Sequence, residues 1–254
     1  MSLRIVATAP ELTEAIDSFD AAYHAGFAAV KQLAEAALAE EPAEPLKIGA
    51  LAERLRQTLY EYGAAEPGKP TPGAPGAPVL RGHADFIDTL SQQELQEDLL
   101  TLTRWSRYAA ESNLRGEFDD ALFRSLRTLG QGLFENNTNV TYPMKAVLLT
   151  TGFMPAFDSQ VRNGLHKAGL KGFSGTRFLL PDNRDVAAWR RLSGLPVLLN
   201  TCWNQFEKAL QEAIQASEYP ELLISPGRVF DVLLFVQGRK RKPIRSIEYQ
   251  GSPA

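Results

Sequence analysis

The chain has 254 residues, 44% of them apolar and 22% charged, with 27 basic against 30 acidic side chains and a single cysteine. This is ordinary globular composition, long enough for one large domain or two small ones. It excludes an internal disulfide framework, and no apolar run approaches the ~18 residues of a membrane span.

The segment MSLRIVATAPELTEAI lacks the basic-then-apolar layout of a secretion signal, so a soluble, cytoplasmic protein with no membrane association is expected. Charge is unevenly spread. Residues 1–127 hold 12 basic and 20 acidic side chains, a balance of −8; residues 128–254 hold 15 and 10, a balance of +5. A basic half suits an anionic partner such as DNA or RNA. An acidic half suits a protein partner, and the two halves can equally attract each other.

Leu12, Ile16, Phe19, Tyr23, Phe27, Val30 and Ala34 recur at helical spacing and predict one long first helix, with Pro10 in its first turn after Thr8 or Ala9. Ile48, Leu51, Leu55, Leu59 and Tyr62 predict a second, so that residues 1–62 read as an antiparallel helical pair. Residues 63–80 form a Gly/Pro-rich linker or a long surface loop. Residues 81–237 read as a helical main domain. Ser91 and Glu94 predict a capping box ahead of the stripe Leu95, Leu99, Leu102 and Trp105. Further helices are predicted after Asp119 or Asp120, then over about 143–151, 158–168, 182–193 and 196–217. The apolar run at 228–237 reads as helix or strand, with helix favoured because Arg228 and Asp231 then pair at i,i+3. Residues 238–254 form a basic tail, expected to be mobile. No period-2 alternation is sustained, so the expected class is all-α.

Most familiar chemistry is missing. His24, His83 and His166 are scattered, no Cys/His cluster has ligand spacing, and there is no P-loop or dinucleotide fingerprint. No metal and no cofactor are expected. Cys202 sits on the apolar side of a helix and reads as a buried thiol.

One segment is more specific. Residues 155–170, PAFDSQVRNGLHKAGL, resemble the signature of the helix–hairpin–helix DNA glycosylases, the endonuclease-III-like superfamily, at Asp158, Ser159, Val161, Leu165, Gly169 and Leu170. A looser likeness over about residues 120–237 is to bacterial helical proteins distantly related to that fold. The resemblance implies a DNA-glycosylase-like helical C-terminal region. It also implies a carboxylate at Asp158 facing a base flipped from the duplex, and a lysine amine nucleophile of the kind bifunctional members use; Lys145 is the candidate. There are departures. Two residues separate Pro155 from Asp158 where the family has one, GQG at 130–132 leads into an Asn-rich stretch, and Lys145 lies only thirteen residues before Asp158. Asp158 also reads simply as a helix N-cap, and Lys145 as a solvated first-turn lysine.

Arg162, Lys167, Lys171, Arg177, Arg190 and Arg191, interleaved with Phe173, Phe178 and Trp189, are the candidate nucleic-acid contacts: cations position phosphates and aromatic rings stack on bases. Two readings follow. One is a nucleic-acid-associated, glycosylase-like protein. The other is a non-catalytic scaffold that docks a protein partner through its acidic N-terminal helices.

Overall fold

The computed structural model describes residues 2–39, 44–70, 76–107, 115–135, 137, 139–173 and 186–251; the side chains of 105–107, 115, 116 and 186–191 lie outside the description. Among the described residues there are ten α-helices and two small two-stranded sheets, so the class is all-α.

The predicted first helix is two. α1 (Ala9–Asp17) begins after Thr8, whose N–H and hydroxyl both donate to the Glu11 carboxylate at 2.7 and 2.8 Å. It stops at Ser18. α2 (Ala21–Leu38) restarts because Asp20 is extended and its carboxylate accepts the Ala22 N–H at 2.8 Å. A capping aspartate thus overrides a continuous apolar stripe. α3 (Pro45–Glu61) matches its predicted stripe, with Ile48, Leu51, Leu55 and Leu59 buried. α4 (His83–Leu90) ends at Ser91, so the predicted capping serine closes one helix; α5 (Gln93–Arg107) follows two residues later. α6 (Arg115–Leu133) takes in GQG, with Gly132 packed against Thr89.

The Gly/Pro-rich segment is tied at both ends. β2 (Val79–Leu80) pairs antiparallel with β3 (Phe134–Glu135), and Leu80 N–H donates to Ala65 O at 2.8 Å. α2 packs on α7 (Thr141–Thr151), and α3 packs on α4 and α7. The buried side chains of all these helices form one continuous core.

α8 (Ser159–Lys167) lies against α10 (Pro226–Gly238), the apolar run left open between helix and strand. Their backbones touch: a β-carbon at Gly164 would overlap the Leu234 carbonyl, and one at Gly238 the Gln160 carbonyl. Between them, α9 (Val186–Ala216) spans both helices predicted for 182–217. Pro196 lies inside it, and the departure from helical geometry falls at Phe206 (φ −119°, ψ 18°).

The tail expected to be mobile is held. β4 (Ile247–Gln250) pairs antiparallel with β1 (Ser2–Ile5), Ser2 opposite Gln250. The buried Gln237 side chain binds it to α8. Its amide donates to Gly164 O at 3.1 Å and Ile247 O at 2.9 Å, and its oxygen accepts from Ser246 N–H and Ile247 N–H at 2.7 and 2.8 Å.

Candidate functional site

α7 is the central helix, buried from Pro143 to Thr151, and it carries a lysine into that interior. Lys145 is 8% exposed. Its Nζ donates to Tyr62 O at 2.7 Å, at the end of α3, and lies 4.6 Å from the centroid of the Tyr142 ring and 5.8 Å from that of Tyr62. Burial lowers its pKa from the usual lysine value, against the opposing pull of Asp158 and Asp231. The reading of Lys145 as a solvated lysine is therefore corrected. The apolar face of α7 wraps right round the helix, leaving no solvent side at this position.

Gly152, in the left-handed region at φ 68°, closes α7 and turns the chain into a buried loop. A buried loop must satisfy its backbone groups, and this one does so with side chains. Thr151 Oγ1 accepts the Phe153 N–H at 3.1 Å. Asp231 Oδ1 accepts the Ala156 N–H at 2.9 Å. Thr141 Oγ1 donates to Phe157 O at 3.0 Å.

The loop delivers Asp158 to the start of α8. Asp158 is extended (φ −72°, ψ 176°), and its Oδ1 accepts from both Gln160 N–H and Val161 N–H at 2.9 Å. The cap reading holds and uses one carboxylate oxygen. The residue is half-buried, and its charge acts on Lys145, Tyr23, Tyr142 and Arg162. Capping and a place in the site are therefore combined.

Sequence reasoning did not gather the groups around this pair. The Tyr62 and Tyr23 rings lie tilted with centroids 4.3 Å apart, and Tyr62 OH donates to Tyr23 O. Arg228 donates to the same carbonyl at 3.0 Å and to Asp231 at 2.7 Å. Burial pushes the Asp231 carboxyl up to about 6, although Arg228 beside it pulls the other way. Burial, with Tyr23 and Asp158 nearby, pushes Tyr142 to about 12. The available signals were the lone lysine of an apolar helix and the Arg228/Asp231 pair. Tyr23 and Tyr62 were hidden as members of apolar stripes.

Of the six expected basic contacts, three have described side chains. Arg162 is half-buried on α8, where burial lowers its pKa against the pull of Asp158. Lys167 caps the end of α10, donating to the carbonyls of Gln237, Gly238 and Arg239 at 3.1, 3.4 and 2.8 Å. Lys171 is exposed. Arg177 lies outside the described residues, as do the side chains of Arg190 and Arg191, which sit on α9.

A separate recess of about 310 Å³ opens between α2 and α5, lined by Lys31, Glu35, Leu38, Leu100 and Arg104 among others; Lys145 and Asp158 do not line it. Among the described residues no His, Cys, Asp and Glu side chains assemble as a metal site, and no helix is long and apolar enough to cross a membrane. Cys202 is buried, which pushes its thiol up to about 12. Chemically, the Lys145 region offers an amine drawn toward its neutral form, within electrostatic reach of a carboxylate fixed at a helix start. No known protein family, curated protein or solved structure matches this chain.

Proposed function

We propose that this chain is a nucleic-acid-associated protein of DNA-glycosylase-like architecture, with Lys145 and Asp158 as its chemical pair. The observation that carries the reading is the buried Lys145 amine, whose pKa is lowered by desolvation and which feels the Asp158 carboxylate. A neutral amine is a nucleophile; an ammonium is not. The Lys145 lone pair attacks the sugar C1′ of an extruded nucleotide. The C1′–base bond breaks, its electron pair leaves with the base, and the base takes up a proton. As the C1′–O4′ bond breaks, its electron pair stays on O4′ and the nitrogen lone pair forms the C1′=Nζ bond; the two protons the amine loses end on the departed base and on O4′, leaving a C1′ imine on Nζ. Asp158 stabilises the positive charge that develops at C1′. The resemblance of residues 155–170 and the basic balance of the C-terminal half support a nucleic-acid substrate.

Borohydride reduction tests this directly. The intact protein, mixed with duplex DNA carrying an abasic site or an oxidised purine, is expected to give a covalent complex. Lys145→Ala should abolish it and Asp158→Asn should weaken it. Absence of both trapping and DNA binding at low salt removes the reading. Binding without trapping keeps the nucleic-acid association without the chemistry, and absence of both leaves the second reading, a non-catalytic scaffold that docks a protein partner. That reading is favoured by the engagement of Lys145 Nζ with the Tyr62 carbonyl.

A further inference from the structure

Asp231 reaches the site from the far end of the chain, on α10, and it touches both the loop that presents Asp158 and the charge surroundings of Lys145. Its Oδ1 accepts the Ala156 N–H at 2.9 Å, two residues ahead of Asp158. Its Oδ2 takes Arg228 Nη1 at 2.7 Å, and Arg228 Nη2 donates to Tyr23 O at 3.0 Å. The Tyr23 carbonyl also accepts the Tyr62 hydroxyl, and the Tyr62 carbonyl accepts the Lys145 amine. Hydrogen bonds therefore run from Asp231 in two directions, to the Asp158 loop and, through Arg228, Tyr23 and Tyr62, to Lys145.

We infer that Asp231 is a positioning residue for the Lys145–Asp158 pair: it fixes the turn that delivers Asp158 and, through Arg228, Tyr23 and Tyr62, holds the carbonyl that binds the Lys145 amine. The inference rests on the reading of Lys145 and Asp158 proposed above. It assigns Asp231 no contact with substrate.

The charged and titratable groups facing Asp231 are few. Arg228 stands on its own helix, Asp158 on the loop ahead of α8, Lys145 on α7, and Tyr62 at the end of α3. On α2, Tyr23 and His24 feel Arg228. Phe19 and Phe27 lie against the Arg228 guanidinium, 4.9 and 5.2 Å from its carbon, and keep water from the pair. In so dry a setting one carboxylate moves a neighbouring amine appreciably. Ionised Asp231 favours the Lys145 ammonium. Neutral Asp231 favours the free amine.

Asp231→Asn keeps an oxygen for the Ala156 N–H and removes the charge. If Asp231 only shapes the fold, the variant trims the imine-trapping rate uniformly with pH. If it positions the pair, the acid limb of the trapping profile moves to lower pH, because the amine becomes neutral sooner. An unmoved acid limb overturns the inference.

Two further readouts cover the remaining cases. If wild-type protein traps at no pH, the proposed function fails, and the Lys145 Cε resonance is titrated in wild type and Asp231→Asn instead; a shift toward acid is expected, and superimposable titrations overturn the role. If the variant does not fold, wild type alone suffices. The Ala156 amide reports Asp231 ionising near pH 6, and the Lys145 Cε resonance is expected to show an inflection at the same pH. A flat Lys145 response there overturns the inference.

Discussion

Gly164 of α8 meets the Leu234 carbonyl of α10 with no room for a β-carbon between them. The contact sets the spacing of the two helices that carry Asp158 and Asp231. Alanine normally stabilises a helix interior by about 1 kcal/mol over glycine. Here overpacking, about 1–3 kcal/mol or more and directed against backbone that cannot rotate away, should win. With overpacking at the upper end, about 3 kcal/mol, less about 1 kcal/mol of helix propensity, Gly164→Ala is expected to lower the unfolding free energy by about 2 kcal/mol. Gly49→Ala on α3, where nothing lies within 4 Å, should raise it by up to about 1 kcal/mol. Urea unfolding of the two variants checks both signs.

Gln237 uses both hydrogens of its amide and bonds its oxygen twice, all to backbone groups. Gln237→Leu keeps the volume and strands those groups in a buried place. At about 1–3 kcal/mol for each group left unsatisfied, a loss of roughly 2–4 kcal/mol is expected after partial rearrangement. Hydrogen exchange gives a local test: the Ser246 and Ile247 amides should lose protection before the rest of the core. Uniform loss across the protein would argue that the tail is anchored elsewhere.

His24 should make stability fall with acid. Its ring is buried, with Nε2 3.4 Å from Ile16 O and Nδ1 without a hydrogen-bond partner, and burial lowers its pKa to about 4. The unfolded chain binds the proton first, near pH 6.5, so this contribution is complete above that value and drains away toward pH 4. It amounts to about 3 kcal/mol. Asp231 has the opposite sign. Its folded carboxyl takes a proton near pH 6, ahead of the unfolded one, so its cost is relieved over the same range. The wild-type profile between pH 6 and 4 should therefore be flatter than either group alone would make it. His24→Phe should gain about 3 kcal/mol relative to wild type on acidification from pH 6.5 to 4. Parallel profiles for the two proteins would count against a buried neutral His24.

Lys167 and Lys171 should separate in experiment although they are close in sequence. Lys167→Met removes a cap from three α10 carbonyls and should cost about 0.5–1.5 kcal/mol of stability. Lys171→Ala should leave stability unchanged. If the proposed nucleic-acid contact is made there, it should weaken DNA binding and reduce the salt slope by about one. Equal effects of both variants on binding, with neither affecting stability, would mean that Lys167 leaves its cap to meet the ligand.

How much could be read in advance depended on the range of the interaction. α3, α7 and α8 were legible because apolar spacing and a capping Asp act within a few residues. The split at Ser18–Asp20 was not, since the Asp20 cap competed with a stripe that stayed in register across it. The strands were invisible for another reason: two to four residues carry no period, and each pairs with a distant segment. Asp158 and Lys145 were singled out by the resemblance of their segment to a family signature. Asp231, Tyr62 and Tyr23 come into reach only because α2 and α3 pack on α7 while α10 packs on α8, and no local pattern encodes that meeting.

The pairing of Ser2–Ile5 with Ile247–Gln250 also bears on how the chain is made. At about 5–20 residues per second, the first strand emerges roughly 10–50 s before its partner. Throughout elongation its unpaired edge is open to any extended segment of a neighbouring chain. Closing that edge therefore waits for the β4 segment, and shielding β1 until then should raise the yield of folded protein.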